Sequence, residues 1–488
     1  MASRAGGAPK RGDLTQGNIG PTLLKFALPT LASSILQSLN GTINSIWVGR
    51  LLGEGALAAT SNANMVMFLL TAFVFGFGMA STILIGQYWG RKDVDEARRI
   101  FGTAMGAFTV VTILVGIAGY FLAGSILKLL GTPGDAAKLA LDYLQVIFLA
   151  MPALLLLTLM MMALRGAGDS LTPLWFMIIA VVLDSGLNPF FIRGFGPIPA
   201  MGIAGSALST LVGNYVSMIG LLIYIYARDL PLRLRGAELR YLLPKPAILK
   251  TIIVKGFPMG LQMVVISLSA LALIGIVNSE GVDTTAAFGV AMQLWTYVQM
   301  PAMAIGAAVS AMSAQNIGAR LWDRVGQITK SGIVLVLIIT GALIVLLTLA
   351  DRTVLALFMG SDSPALPIAR HIHMLATWNF LLFGVTMVLF ATVRANGAVW
   401  APLIVLGIGL LPVRFGWIFA TRDWLGADAI WLSFPVSSTA NVAMAALYYW
   451  KGNWRKAQLR AEQVPSTDEC IEHAEATREP GGALNPSG

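Results

Sequence analysis

One carboxylate stands alone in an apolar stretch. Asp184, in VVLDSGLNPF (181–190), is the only charged side chain between Ser170 and Ile192. An ionised carboxylate in such surroundings is costly unless it has a partner, a proton or a bound cation. Asn188 follows at i+4, on the same helical face. Gly186 and Pro189 weaken the helix and can free carbonyl oxygens as ligands. Asp184 is therefore a candidate proton carrier or, with amide oxygens around it, a Na⁺ ligand. The competing expectation is a structural ion pair with Arg414, in LLPVRFGWIFA. Such a pair would lock the two halves of the chain together; for Arg414 itself a structural or snorkelling charge is expected.

A second polar set lies near the N-terminus. Ser33, Gln37, Asn40 and Asn44 are spaced four, three and four residues apart, so they form a stripe on one helical face. A stripe of this kind either glues helices together or lines a cavity. The triplet NGT (40–42) fits a glycosylation acceptor or a hairpin turn, but it sits inside an apolar span where neither can operate. Deep in the second half the polar and aromatic groups are Gln262, Gln293, Trp295, Tyr297, Gln299, Trp378 and Asn379. Amides and aromatic faces suit lipophilic cations, and the same residues also serve ordinary packing. The run Met160–Met162 reads as core filling.

Other chemistry is absent from the sequence. It contains no phosphate-binding glycine loop and no nucleophile elbow. His371, His373 and His473 lack zinc spacing, and the single cysteine, Cys470, excludes an intramolecular disulfide. No enzyme, cofactor or resident metal is expected.

The elements that must position Asp184 are membrane helices. Of 488 residues, 56% are hydrophobic and 12% charged, against about 25% charged in soluble domains. The apolar residues fall into blocks long enough to cross a hydrocarbon layer of ~30 Å. Twelve spans are predicted, near 23–48, 57–87, 102–127, 139–163, 172–193, 202–227, 252–278, 285–314, 331–350, 366–393, 402–421 and 429–450. No cleavable leader precedes the first. The net charge of +9 sits in alternate loops, among them Arg91, Lys92, Arg228, Arg233, Arg320 and Arg324. That bias places both termini in the cytoplasm and points to anionic lipid headgroups, not nucleic acid, as the partner of the charge.

The spans come in two copies. LRGAGDSLTP (164–173) matches VRANGAVWAP (393–402) at an offset of 229, which also separates Pro29 from Pro258; GQYWGRKDVDEARR (86–99) resembles AQNIGARLWDRVGQ (314–327) at 228. Six being even, the copies share one orientation and are parallel repeats about an axis along the membrane normal. The expected fold is an all-α integral membrane protein of two six-helix bundles. Its parts are a polar segment (1–22), a first bundle (23–227), a cytoplasmic linker (228–250), a second bundle (251–452) and a polar tail (453–488).

The order and duplication of SIWVGRLLGEGALAA (45–59), GQYWGRKDVDEARR, LRGAGDSLTPLW (164–175) and FGPIPAMGIAGSALST (195–210) resemble the multidrug and toxic compound extrusion (MATE) family, from about residue 20 to 452. The resemblance implies a V-shaped pair of bundles that exports organic, often cationic, compounds in exchange for H⁺ or Na⁺. Where many prokaryotic members carry an acid in span one, this chain has Asn44. Their span-five order of Asn then Asp is reversed to Asp184 then Asn188. Acids known from spans seven and ten of one branch fall on Ile266 and Gly384.

Together these readings predict a monomeric inner-membrane antiporter working by alternating access. Its ion-coupling set is Asp184, Asn188, Asn44 and Asn40; Gln37, Gln262, Gln293, Tyr297, Gln299, Trp378 and Asn379 face the substrate. The alternatives are a lipid or lipid-linked precursor flippase, which needs cavity cations, and a non-transporting membrane binding protein.

Overall fold

A computed structural model describes residues 12–129, 134–196 and 199–456. The tail with Cys470 and His473 lies outside them. The first half consists of α1 (Ile19–Leu52), α2 (Glu54–Gly90), α3 (Val94–Leu129), α4 (Gly134–Gly166), α5 (Leu171–Arg193) and α6 (Ile203–Ala227). The second half begins with α7 (Pro246–Asn278), α8 (Val282–Gly318) and α9 (Trp322–Leu349), followed by the short α10 (Asp351–Met359). It continues with α11 (Leu366–Ala376), α12 (Asn379–Ala395), α13 (Trp400–Ile408), α14 (Arg414–Leu425) and α15 (Asp428–Lys451).

Ten helices are long and apolar enough to cross a bilayer, and α11 with α12 forms an eleventh span bent by 44°. The twelfth is α8. Its Ala, Gly, Ser and Gln residues make it less apolar than the rest because it faces protein more than lipid: 23 of its 37 residues are buried. Small residues there let backbones approach closely. Between α13 and α14 the chain widens into one π turn, Gly409–Val413, around Pro412.

The bundles meet at the end that carries the basic loops. Gly76 abuts Gly256 and Gly260, and Gly86 lies against Ala314. Gly90 touches the Gln315 backbone while Gly318 touches that of Gln87, a reciprocal pair at the repeat offset of 228. The side chains repeat the symmetry. Gln315 donates to Gly166 O at the end of α4 (3.1 Å), and Gln87 donates to Ala395 O at the end of α12 (2.6 Å). The shared hydrophobic clusters join α2 and α4 to α7 and α8, or α1 to α8 and α9. Away from the basic end each half keeps a cluster of its own, one around Val48, Tyr143 and Ile203, the other around Leu273, Trp295 and Phe434. The molecule is therefore a V closed at the basic end.

Residues 228–250, read as a polar linker, are strapped along α3. Leu230, Leu232 and Leu234 are buried, and Arg98 pairs with Glu238 at 2.8 Å. Ahead of α1, within the segment expected to be merely polar, Leu14 is buried and its N–H donates to Gln315 Oε1 (2.9 Å). Gln315 Nε2 also donates to Gly12 O (3.2 Å). Gln315 thus ties the N-terminal strap to both halves. Gln315→Ala leaves the Leu14 donor without its acceptor and the two carbonyls without a donor, so a loss of about 1–3 kcal/mol is expected. Thermal unfolding in detergent measures it; an unchanged midpoint contradicts the assignment.

Candidate functional site

Asp184 sits on α5 thirteen residues beyond Leu171, roughly 20 Å from the basic end at 1.5 Å per residue. It is 2% exposed. Close packing against α6 holds it there: a Cβ on Gly213 would meet Ala180 O at 3.0 Å and the Asp184 N at 3.2 Å, so a larger residue fits only if α5 gives by a few tenths of an ångström.

Four donors converge on the carboxylate. Asn40 Nδ2 (2.8 Å) and Asn44 Nδ2 (3.0 Å), both from α1, donate to Oδ2. Ser209 Oγ (2.8 Å) and Thr210 Oγ1 (3.0 Å), both from α6, donate to Oδ1. Each oxygen therefore has two donors, which fills the acceptor capacity of an ionised carboxylate. A second layer orients the amides: Ser185 donates to Asn40 Oδ1 (3.0 Å), and Asn188 Nδ2 donates to Asn44 Oδ1 (2.8 Å). Among the described residues, Asn188 Oδ1 is buried without a partner.

The hydroxyls can change partners. Ser209 Oγ lies 2.7 Å from Ser206 O, and Thr210 Oγ1 3.5 Å from the same carbonyl. A hydroxyl that turns its proton to Ser206 frees a lone pair on Asp184 for a proton, or offers its own oxygen to a metal cation. With the orphan Asn188 oxygen nearby, one carboxylate and several neutral oxygens suit a single positive charge.

The site opens on a cavity of about 510 Å³ within the first bundle, lined by α1, α2, α4, α5 and α6. Gln37, Asn40 and Asn44 line it, as do Thr60, Asn64, Thr71 and Tyr143. Ser33 does not join them; it is buried and bonds to Pro29 O in its own helix (2.9 Å). Ser209 and Thr210 had no distinguishing signal in the sequence, because Ser and Thr in membrane helices ordinarily bond to their own backbone.

The expected pairing of Asp184 with Arg414 does not form. All four Asp184 partners belong to the first bundle, and Arg414 lies inside the second, bonded to Ser269 and Ser437. Each is bonded only to helices of its own half, so the charges do not meet. Among the second-half candidates, Gln262 is buried between the Val399 carbonyl (3.4 Å) and Arg394 (3.3 Å). Asn379 is buried, bonded to Ala376 O and accepting from Ser438 (3.0 Å). Both amides serve packing in this conformation. Trp295 likewise packs among Phe288, Phe380 and Phe434, with Nε1 donating to Thr377 (2.8 Å). Gln293 is exposed near Tyr297 (3.5 Å), Gln299 is half-buried and Trp378 is exposed. The second-half residues thus do not gather into one site as the first-half set does.

Two like-oriented six-helix halves, joined at one end, with a lone carboxylate over an internal cavity, define a membrane transporter. Comparison with known proteins gives its family. The MatE family model matches residues 29–190 and 258–417, one match in each half, and the chain belongs to the MATE family. It is 34% identical over 436 residues to "Probable multidrug resistance protein YoeA" of Bacillus subtilis (strain 168), covering 89% of this chain and 94% of that one. To "Probable multidrug resistance protein YpnP" of the same organism it is 32% identical over 452 residues, 92% of this chain and 99% of that one. A solved structure of a multidrug resistance MATE transporter in its outward-facing conformation superposes with a TM-score of 0.83 at 21% identity, covering 93% and 99% of the two chains.

Proposed function

We propose that the protein exports hydrophobic or cationic organic compounds, driven by the return of one cation, H⁺ or Na⁺, through Asp184. The observation that carries this reading is the four-donor carboxylate facing a 510 Å³ cavity in an otherwise apolar bundle. The names of the two Bacillus relatives support drug-like substrates. The basic end faces the cytoplasm of an inner membrane, by the positive-inside bias. The V is then outward-open, the state in which Asp184 takes up its cation. Cation binding favours the inward-open state only through a difference in affinity between the two states, each tenfold being about 1.4 kcal/mol. Among the described residues no Lys or Arg lines the Asp184 cavity, which supports the export reading over a flippase.

Purified protein in liposomes tests this. Ethidium movement is followed under an imposed pH gradient, an imposed Na⁺ gradient, or neither. Transport is expected only against an opposing cation gradient, and the effective gradient names the ion. Ethidium flux indifferent to both gradients overturns the proposal.

A further inference from the structure

The second bundle contains a counterpart of the Asp184 site with its charge reversed. Repeat offsets place Asn40 on Ser269 and Ala180 on Gly409 (229); Gly202 and Gly426, which share one backbone conformation (φ 57° and 58°) ahead of α6 and α15, set an offset of 224 that places Gly213 on Ser437. The contacts follow the same map. Gly213 packs against Asp184 in the first half, and Ser437 meets Arg414 in the second. Ser269, the counterpart of the Asp184 ligand Asn40, and Ser437, the counterpart of Gly213, are the residues that hold Arg414, at 3.4 Å and 3.1 Å. Asp184 itself maps on Val413 at offset 229, one residue short of Arg414. The π turn Gly409–Val413 inserts that one residue, as π-bulges do, and brings Arg414 into the carboxylate's place.

The donors and acceptors are reversed along with the charge. Ser269 donates its proton to Leu410 O (2.9 Å) and Ser437 to Phe434 O (3.0 Å), so both turn lone pairs toward the guanidinium. The Phe434 ring lies beneath it, 4.6 Å from centroid to Cζ. Arg414 is 8% exposed, and among the described residues its Nε has no partner and no ion pair includes it. At Asn188, in the first half, the unpartnered buried atom is an acceptor. At Trp417, in the second half, it is a donor, Nε1. Trp417 follows Arg414 by three residues and shares its helical face. A buried guanidinium without a counter-charge and a second orphan donor one helical turn along the same face make a site for an oxyanion.

We infer that the second bundle binds a carboxylate or phosphate group at Arg414 and Trp417, carried on an apolar body. The group comes either from a transported compound or from a lipid headgroup. The inference does not depend on export, since binding is measured without a gradient.

The full chain in discs of phosphatidylcholine is titrated with dansylaminoundecanoate and with its methyl ester, empty discs being subtracted. The acid is expected to bind at least about tenfold more tightly than the ester, one charge-assisted contact's worth. Arg414→Gln removes the difference by weakening the acid, and Arg414→Lys keeps a preference for the acid. Phosphatidylglycerol added to the discs competes with the acid if a lipid headgroup is the natural ligand and leaves it unaffected if a transported compound is; either result requires the site. Equal binding of acid and ester by the wild type overturns the inference, whatever the folding of the variants. So does Arg414→Gln that folds and still prefers the acid.

Discussion

Asp184→Asn is expected to lower cation-driven export about thirtyfold or more while the protein stays folded. Removing one partner from a buried, hydrogen-bonded charge costs about 2–5 kcal/mol, and the lower figure already corresponds to about thirtyfold. The substitution is nearly isosteric, so the cavity keeps its shape. The loss falls on the cation, which no longer meets a negative charge. Neutral oxygens alone, from Asn188, Ser209 and Thr210, do not replace it in an apolar bundle.

The same variant disturbs the hydrogen bonds in a defined way. An amide at 184 can still accept from Ser209 and Thr210, but its –NH₂ would then face the –NH₂ groups of Asn40 and Asn44. Relief requires both asparagines to turn over, which breaks the bonds from Ser185 to Asn40 and from Asn188 to Asn44. A stability loss of about 1–3 kcal/mol accompanies the functional one. Transport in liposomes under the effective gradient, with thermal unfolding alongside, separates the two effects. A variant that unfolds at a lower temperature yet transports at the wild-type rate would remove Asp184 from the coupling step.

Asp184 was legible because a single charge in an apolar span has few ordinary explanations, and Asn40 and Asn44 because their spacing fixes a face. The spans were legible for the same reason, block length against bilayer thickness, even in α8, where buried small residues replace lipid-facing ones. What could not be read is whatever depends on contacts between helices. Ser209 and Thr210 look like any helix hydroxyls until α6 is laid on α5. The span at 366–393 reads as one helix because nothing apolar marks its bend between Ala376 and Asn379. Arg414 reads as a structural or snorkelling charge, and its correspondence to Asp184 is hidden because the repeat offset misses it by one residue. Only the π turn shows that the extra residue is taken up within the helix.

Gly90→Val is expected to abolish export by a different route, preventing the basic end from closing. Any Cβ at Gly90 would overlap the carbonyl group of Gln315, and one at Gly318 would overlap that of Gln87. The obstruction is backbone, not the end of a flexible side chain, so it cannot be relieved by a rotamer change. The ends of α2 and α8 must separate, and the reciprocal bonds of Gln87 to Ala395 and Gln315 to Gly166 go with them. The cost of about 1–3 kcal/mol for overpacking falls on the closed V alone, because the two helices touch here only while this end is shut. Two states a few kcal/mol apart are then reordered, and the variant rests with its basic end open. Spin labels at the exposed Lys92 and Arg320 report the change: the distance distribution should move to longer values in Gly90→Val, and in Gly318→Val equally, since the contact is reciprocal. Cation binding at Asp184 is then disfavoured on the outer side although no residue of that site has changed. Unaltered label distances together with lost export would show instead that this end does not open during transport.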